Sequence, residues 1–109
     1  AEQMVQTSYE YVPEENELEA VSLTSSPSVK VKPPRILESP AHLECRELSI
    51  QKVGANNLVL GTVVHGAVDD EFYDEHTGSI DTIKMLPIGR MQGSDGYTRT
   101  NDQFYIEKP

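Results

Sequence analysis

The sequence contains a single cysteine, no tryptophan and no long apolar run. No disulfide can form within the chain, because Cys45 has no second cysteine to pair with. A lone thiol fits a reducing compartment, and we predict a cytoplasmic location. No stretch approaches the roughly 20 apolar residues of a membrane-spanning helix, and the first residues show none of the features of a secretory signal. We therefore expect neither a disulfide-rich scaffold nor a helical membrane protein.

Basic residues are also scarce. Nine lysines and arginines stand against 18 aspartates and glutamates, which gives a net charge of −9. Binding to nucleic acid or to an anionic membrane surface requires a basic footprint, so we expect neither as a partner. The acidic residues concentrate in two runs, typical of solvated loops, at Glu14–Glu19 and Asp69–Glu75.

The chain is long enough for one domain at most. It has 109 residues, of which 37% are hydrophobic. A chain of this size buries a smaller fraction of its surface on folding than a larger domain does, and it is marginally stable alone. We therefore expect a partner surface, either a second copy or a further part of the same protein.

Prolines and serines separate a helical start from a β-rich remainder. Residues 1–7 are typical of the end of a helix, and Asn16 is predicted to cap a short helix over Glu17–Val21. Four prolines and five serines fall between Ser22 and Pro40. We predict an extended arm without regular structure there.

Two long strands are predicted after the arm. Apolar residues change parity near Arg46 within the first, His42–Val53, which indicates a β-bulge. A turn at 54–57 joins it to Leu58–Val68, and the apolar run of this second strand predicts cover on both faces. The remaining predictions are a helix from about Ile80 to Leu86, capped by Ser79 or Asp81, and a last strand over Gln103–Lys108.

Motifs of known chemistry are absent. The acidic residues near His65 and His76 lack the spacing of a calcium or zinc site, so we expect no metal. Cys45 lies near Glu44 and Glu47, which disfavours a reactive thiolate, and we predict a buried structural thiol. The sequence has no nucleophile elbow, P-loop or dinucleotide fingerprint.

Two segments concentrate the few basic residues. Lys30, Lys32 and Arg35 lie in the Pro-rich arm, where rigid backbone can hold cations toward an anion. Arg90 and Arg99 flank a glycine-rich tail that also contains Gly93 and Tyr97. The alternatives are an arm that only straps over the strands and arginines that pair with the many carboxylates.

In combination and order, these segments resemble the flavin reductase-like, FMN-binding split-barrel family of the flavoredoxin type. The arm Leu23–Ile36 leads through Glu38-Ser39-Pro40 into Leu43-Glu44-Cys45. The hairpin at 54–64 and the tail from Arg90 to Phe104 follow in the family's order.

The resemblance implies a mainly β fold with short helices, part of a Greek-key split β-barrel that dimerises and binds FMN. Flavin would carry hydride or electrons, with NAD(P)H as a possible donor. It implies that residues 1–109 form a single domain, with a helix and arm over 1–40 and barrel strands, a short helix and a tail loop over 41–109. It also implies that the N-terminal half of the family domain is missing and required. The candidate flavin-binding residues are Lys32, Arg35, Asn56, Arg90, Gly93 and Tyr97.

Two departures keep other functions open. Some reductases of the family carry His where this chain has Asn56 and Glu where it has Thr62. A split-barrel assembly or interaction module without flavin is the first alternative. A β-domain that binds a protein through unpaired edge strands is the second.

Overall fold

A computed structural model describes residues 1–109. The chain is mainly β, and its regular elements are short except for two strands of 13 residues. In chain order the elements are α1 (Glu2–Gln6), α2 (Glu17–Ala20), β1 (Ser25–Ser26), β2 (Arg35–Ile36), β3 (Ala41–Val53), β4 (Asn56–Val68), a 3-10 helix (Asp70–Phe72), β5 (Tyr73–Asp74), β6 (Ser79–Ile80), α3 (Thr82–Met85), β7 (Ile88–Arg90) and β8 (Tyr97–Arg99). They form two compact units, residues 1–68 and 69–109.

The first unit is built on the antiparallel hairpin of β3 and β4. Its two-residue turn begins at Gly54, whose φ of +61° lies in the left-handed region that glycine adopts without strain. The register shifts between Glu44 and Cys45 and again between Glu47 and Ser49. The second shift leaves Leu48 unpaired, which confirms the bulge predicted from the parity change.

This hairpin has almost no core. Val21 is the single buried hydrophobic residue of the chain. The predicted cover on both faces of β4 is wrong for this chain, because no other element packs over either face and most of its side chains are exposed. Large apolar side chains of both strands are exposed, among them Leu48 (67%), Ile50 (54%), Val59 (60%) and Val63 (53%).

The arm contains more regular structure than predicted. The expectation of no regular element is wrong, since β1 pairs with β2 and folds the arm back on itself. The pairing extends through Leu37 N–H, which donates to the carbonyl of Thr24 at 2.8 Å. Before the arm, the Asn16 side chain accepts a hydrogen bond from Leu18 N–H at 3.1 Å, which confirms the predicted cap of α2.

The second unit consists of two small hairpins and one helical turn. β5 pairs with β6 and β7 with β8. Asp81 caps α3 by accepting from Lys84 N–H at 2.8 Å, which confirms one of the two predicted caps. The predicted strand Gln103–Lys108 is wrong: the last strand is β8, and residues 100–109 have no regular structure because no strand lies beside them to accept their hydrogen bonds.

The helices are four or five residues long, and none of them is a candidate to span a bilayer.

The exposed surface predicts self-association of the 109-residue chain. It exposes 9465 Å², against about 6,000 Å² for an independently folded protein of its mass. The excess, roughly 3,500 Å², falls in the range of obligate interfaces. Light scattering after size exclusion should give a mass well above 12.1 kDa.

The hairpin residues offer a matched pair of variants for the same measurement. Ile50→Lys combined with Val59→Lys places two charges on an exposed apolar cross-strand pair and should lower the mass. Gln51→Lys adds a charge at an already polar exposed position and should not. A wild-type chain that stays monomeric at tens of micromolar would contradict the expectation.

Candidate functional site

The arm and the start of β3 line a cavity of about 330 Å³ that is open to solvent. Its walls are mostly apolar, and its polar groups come from both elements; it is lined by Ser28, Val31, Pro33, Pro34, Arg35, Ile36, Ser39, His42, Leu43, Glu44 and Cys45. β2 pairs with β1 and folds the arm back on itself, and the Val29 and Lys30 N–H groups at its bend hydrogen-bond to Glu44 of β3. An apolar cavity with a few polar groups is the usual form of a small-molecule site.

Arg35 is the cation of this cavity. Arg35 is half-buried at the start of β2. Its guanidinium has no carboxylate within salt-bridge distance, since the chain's one salt bridge joins Lys84 to Glu71. His42 is also half-buried and lines the same cavity. Lys32 lies in the bend of the arm and is exposed. An unpaired guanidinium beside apolar walls suits an anion that carries an apolar body.

Glu44 fixes the arm to β3. It is 4% exposed, and its two carboxylate oxygens accept hydrogen bonds from Val29 N–H at 2.8 Å and Lys30 N–H at 2.6 Å. Burial alone would raise the pKa of Glu44, but these two N–H groups and the nearby His65 and His42 hold it below its usual value. This role was not predicted from the sequence, although an acidic residue inside a strand that follows a Pro-rich arm could have indicated a carboxylate that holds the arm.

A second carboxylate anchors the base of the arm. Both oxygens of Glu38 accept from Thr24 N–H at 3.0 Å. Hydrogen bonds from Thr24 lower the pKa of Glu38. The arm is thus held to its own return strand at one end and to β3 at its bend.

Asn56 lies far from this cavity within the first unit. It is the first residue of β4 and pairs with Val53, at the tip of the hairpin. Val53 is eight residues beyond Cys45 along β3, which corresponds to about 26 Å of extended strand. Within one copy, Asn56 therefore cannot share a small ligand with Arg35.

The tail residues do come together. The guanidinium of Arg90 donates to Tyr97 Oη at 2.8 Å and to the carbonyls of Gly93 at 2.8 Å and Ser94 at 2.5 Å. It also lies 4.9 Å from the centre of the Tyr97 ring, within the range of a cation–π contact. Gly93 has a φ of +64°, which a residue with a side chain adopts only under strain. Arg90 therefore holds the shape of the β7–β8 loop. Its partners are backbone carbonyls and the Tyr97 hydroxyl, and not the carboxylates expected if the tail arginines only formed ion pairs.

Cys45 is not the buried structural thiol that was predicted. Its side chain is exposed and lines the arm cavity. The physical reason is the open face of the hairpin, which nothing in the chain covers. The neighbouring strand approaches closely at this point: a Cβ on Gly61 would lie 3.0 Å from Cys45 Cβ. No group of three or more His, Cys, Asp or Glu side chains is placed to hold a metal ion.

Residues 1–84 match the family described as the flavin reductase like domain. The chain belongs to this family. An uncharacterized protein of Halalkalibacterium halodurans is 33% identical over 103 residues, which cover 89% of this chain and 48% of the relative.

Solved structures of this flavin reductase-like family share the fold. The 2-nitrobenzoate 2-nitroreductase NbaA of Pseudomonas fluorescens matches with a TM-score of 0.85 and 28% identity, over 99% of this chain and 53% of that one. A split-barrel protein of Shewanella frigidimarina, assigned as a flavin reductase, matches with a TM-score of 0.84 and 26% identity, over 99% and 55%. The fold is thus that of the split-barrel flavin reductases, and this chain spans about half the length of the proteins it matches.

Replacing Arg90 should loosen the tail hairpin of this flavin reductase-like chain. Arg90→Gln removes the fork that holds the Gly93 and Ser94 carbonyls. We expect amide exchange at Met91 and Gly96, which hydrogen-bond across the loop, to accelerate by about tenfold in NMR measurements.

Arg99→Gln is the matched control. It removes the same charge from β8, where the Arg99 side chain makes no hydrogen bond to the loop, and it should leave both amides unchanged. Equal acceleration in both variants would mean that charge, and not the Arg90 fork, orders the loop.

Proposed function

We propose that this chain is part of an FMN-binding flavoprotein oxidoreductase of the flavin reductase-like type. The observation that carries the proposal is the unpaired Arg35 guanidinium in the arm cavity of a chain with a net charge of −9. Arg35 is the one lysine or arginine that lines this cavity, and no carboxylate lies within salt-bridge distance of it. Membership of the flavin reductase like domain family makes flavin the first anion to consider.

The residues of the arm cavity fit a flavin chemically. FMN combines a phosphate with a flat apolar ring system, and the cavity combines a guanidinium with apolar walls from Val31, Pro33 and Leu43. Arg35, joined by the nearby Lys32, would hold the phosphate, since cations on a rigid backbone bind phosphate with little loss of entropy. The prolines keep that backbone rigid. Bound flavin would supply the hydride and electron chemistry, with NAD(P)H as the proposed donor.

The tail hairpin contributes in a different way. We keep Arg90, Gly93 and Tyr97 as candidate flavin contacts. Because the Arg90 donors are already engaged within the loop, we assign Arg90 the task of holding the loop shape that presents Gly93 backbone and the Tyr97 ring.

The proposal also includes assembly of this chain with further polypeptide. Apolar residues on both strands of the hairpin require cover that these 109 residues do not supply. We propose that an N-terminal half of the domain and a second copy supply it, so that the working protein is a homodimer. Asn56 at the hairpin tip would then contact the flavin of the partner copy. We further propose that the protein works in the cytoplasm, where its single thiol stays reduced.

A flavin-free assembly module is the second candidate function. It is favoured by Asn56 and Thr62, which stand where some family reductases have His and Glu, and by the extent of the exposed apolar hairpin. Such a module would keep the barrel and its interfaces and would bind no FMN.

A titration of FMN, followed by quenching of flavin fluorescence, tests the two functions. It should be run on the 109-residue chain and on a longer protein that contains the complete domain. Lys32→Gln combined with Arg35→Gln should weaken FMN binding by about tenfold or more, through loss of charge-assisted contacts to phosphate. Lys108→Gln, which removes a cation from the tail, is the control.

Each outcome of the titration has a distinct meaning. Saturable quenching that is sensitive to the arm variants supports the proposal. Quenching by the longer protein alone places essential contacts in the additional residues. Absence of quenching in both forms would reject FMN and leave the assembly module.

A further inference from the structure

Glu44 is the one buried charged residue of the chain. It lies on β3 opposite His65 of β4, immediately before the first register shift of the hairpin. A buried carboxylate is tolerated only when hydrogen bonds or opposite charges replace its lost hydration. Here the replacements come from the backbone of the arm, so Glu44 and the arm depend on each other.

The contacts of Glu44 place the arm's basic residues. Val29 and Lys30 are successive residues, and their N–H groups converge on the two oxygens of one carboxylate. Just before them, Ser28 Oγ donates to the carbonyl of Pro33 at 2.6 Å and closes the bend. Lys32 lies inside this closed bend, and Arg35 follows it after Pro34, so the bend that carries both cations is tied to β3 through Glu44.

We propose that Glu44 is a positioning residue that latches the arm onto β3 and thereby aims Lys32 and Arg35 at the phosphate of the bound flavin. This inference rests on the proposed function, in which these two cations hold FMN. The latch itself is a property of the chain without ligand. Glu44 acts through the arm and does not touch flavin.

The groups around Glu44 keep its carboxylate ionised near neutral pH, so its hydrogen bonds to the arm persist there. The charged groups near Glu44 are His42 on its own strand and His65 on β4, while Lys30 contacts it through its backbone N–H and Arg35 lines the same cavity without a salt bridge to it. The pKa of Glu44 lies below the usual 4.5 because the N–H groups and histidines outweigh the effect of burial. A lowered pKa means that the stabilisation is complete above the unfolded value and is lost as pH falls through the folded value. The latch should therefore release only in acid.

Amide hydrogen exchange tests the latch directly. In the flavin-free protein, Glu44→Gln should accelerate exchange at Val29 and Lys30 by about tenfold or more, because one strong charged acceptor becomes a weak neutral one and the other becomes a donor. Amides of the hairpin tip, such as Lys52, should be unaffected. Glu47→Gln removes a carboxylate from an exposed position of the same strand and serves as control.

FMN and riboflavin together test the positioning role. Riboflavin has the same ring without the phosphate, so Glu44→Gln should weaken FMN binding by about tenfold and leave riboflavin binding nearly unchanged. In a Lys32→Gln, Arg35→Gln background, the same substitution should have no further effect on FMN. Glu44→Asp, which keeps the charge, should restore part of the FMN affinity. A purely structural role would instead weaken both flavins equally.

The outcomes separate the two proposals. Wild-type binding of FMN with unchanged exchange at Val29 and Lys30 in Glu44→Gln would overturn the latch and leave the proposed function standing. Equal loss of FMN and riboflavin would overturn positioning. If the wild-type complete domain does not bind FMN, the proposed function is overturned. The positioning role of Glu44 toward FMN is then overturned as well, whatever the amide exchange rates at Val29 and Lys30 are.

Discussion

A two-stranded ribbon of 13-residue strands has two faces and two free edges, and the rest of this chain leaves them largely uncovered. This exposure is the main constraint on the first unit. Because β3 and β4 find no third strand, their apolar side chains remain at the surface. The hydrophobic effect, which normally dominates folding, is therefore largely unused within the chain. The chain spans about half the length of the proteins it matches.

In the absence of a core, polar contacts organise the first unit. The arm is held by carboxylates that accept backbone N–H groups: Glu38 at its base and Glu44 at its bend. This arrangement suits an acidic chain, because carboxylates bound to N–H groups need no basic side chains. It leaves Arg35 free of ion pairs, and a free guanidinium in a cavity is available for a ligand. The contacts that hold the arm thus also account for the absence of an ion pair at Arg35.

The local elements were predictable where a local physical rule specifies them. The hairpin follows from β-branched strands and a glycine turn, the bulge follows from the parity change near Arg46, and the caps at Asn16 and Asp81 follow from side chains that accept from the first turn of a helix. Predictions that needed a neighbour were less accurate. The strand expected at Gln103–Lys108 has no partner, and the pairing of β1 with β2 joins Ser25 to Ile36 and Ser26 to Arg35 across a proline-rich stretch. Both depend on pairing, which composition does not reveal.

The amino-acid sequence by itself determined the β-rich class, the hairpin and its bulge, the scarcity of cations and the family to which the chain belongs, because these depend on residue type and short spacing. The tertiary structure alone decided that Glu44 is buried and bonded to the arm, that Arg35 is unpaired in a cavity, that Arg90 is engaged within its own loop, and that Cys45 is exposed. Each of these depends on which distant groups approach a side chain and which do not. Such proximity is set by the packing of the whole chain, and here above all by the packing that its hairpin lacks.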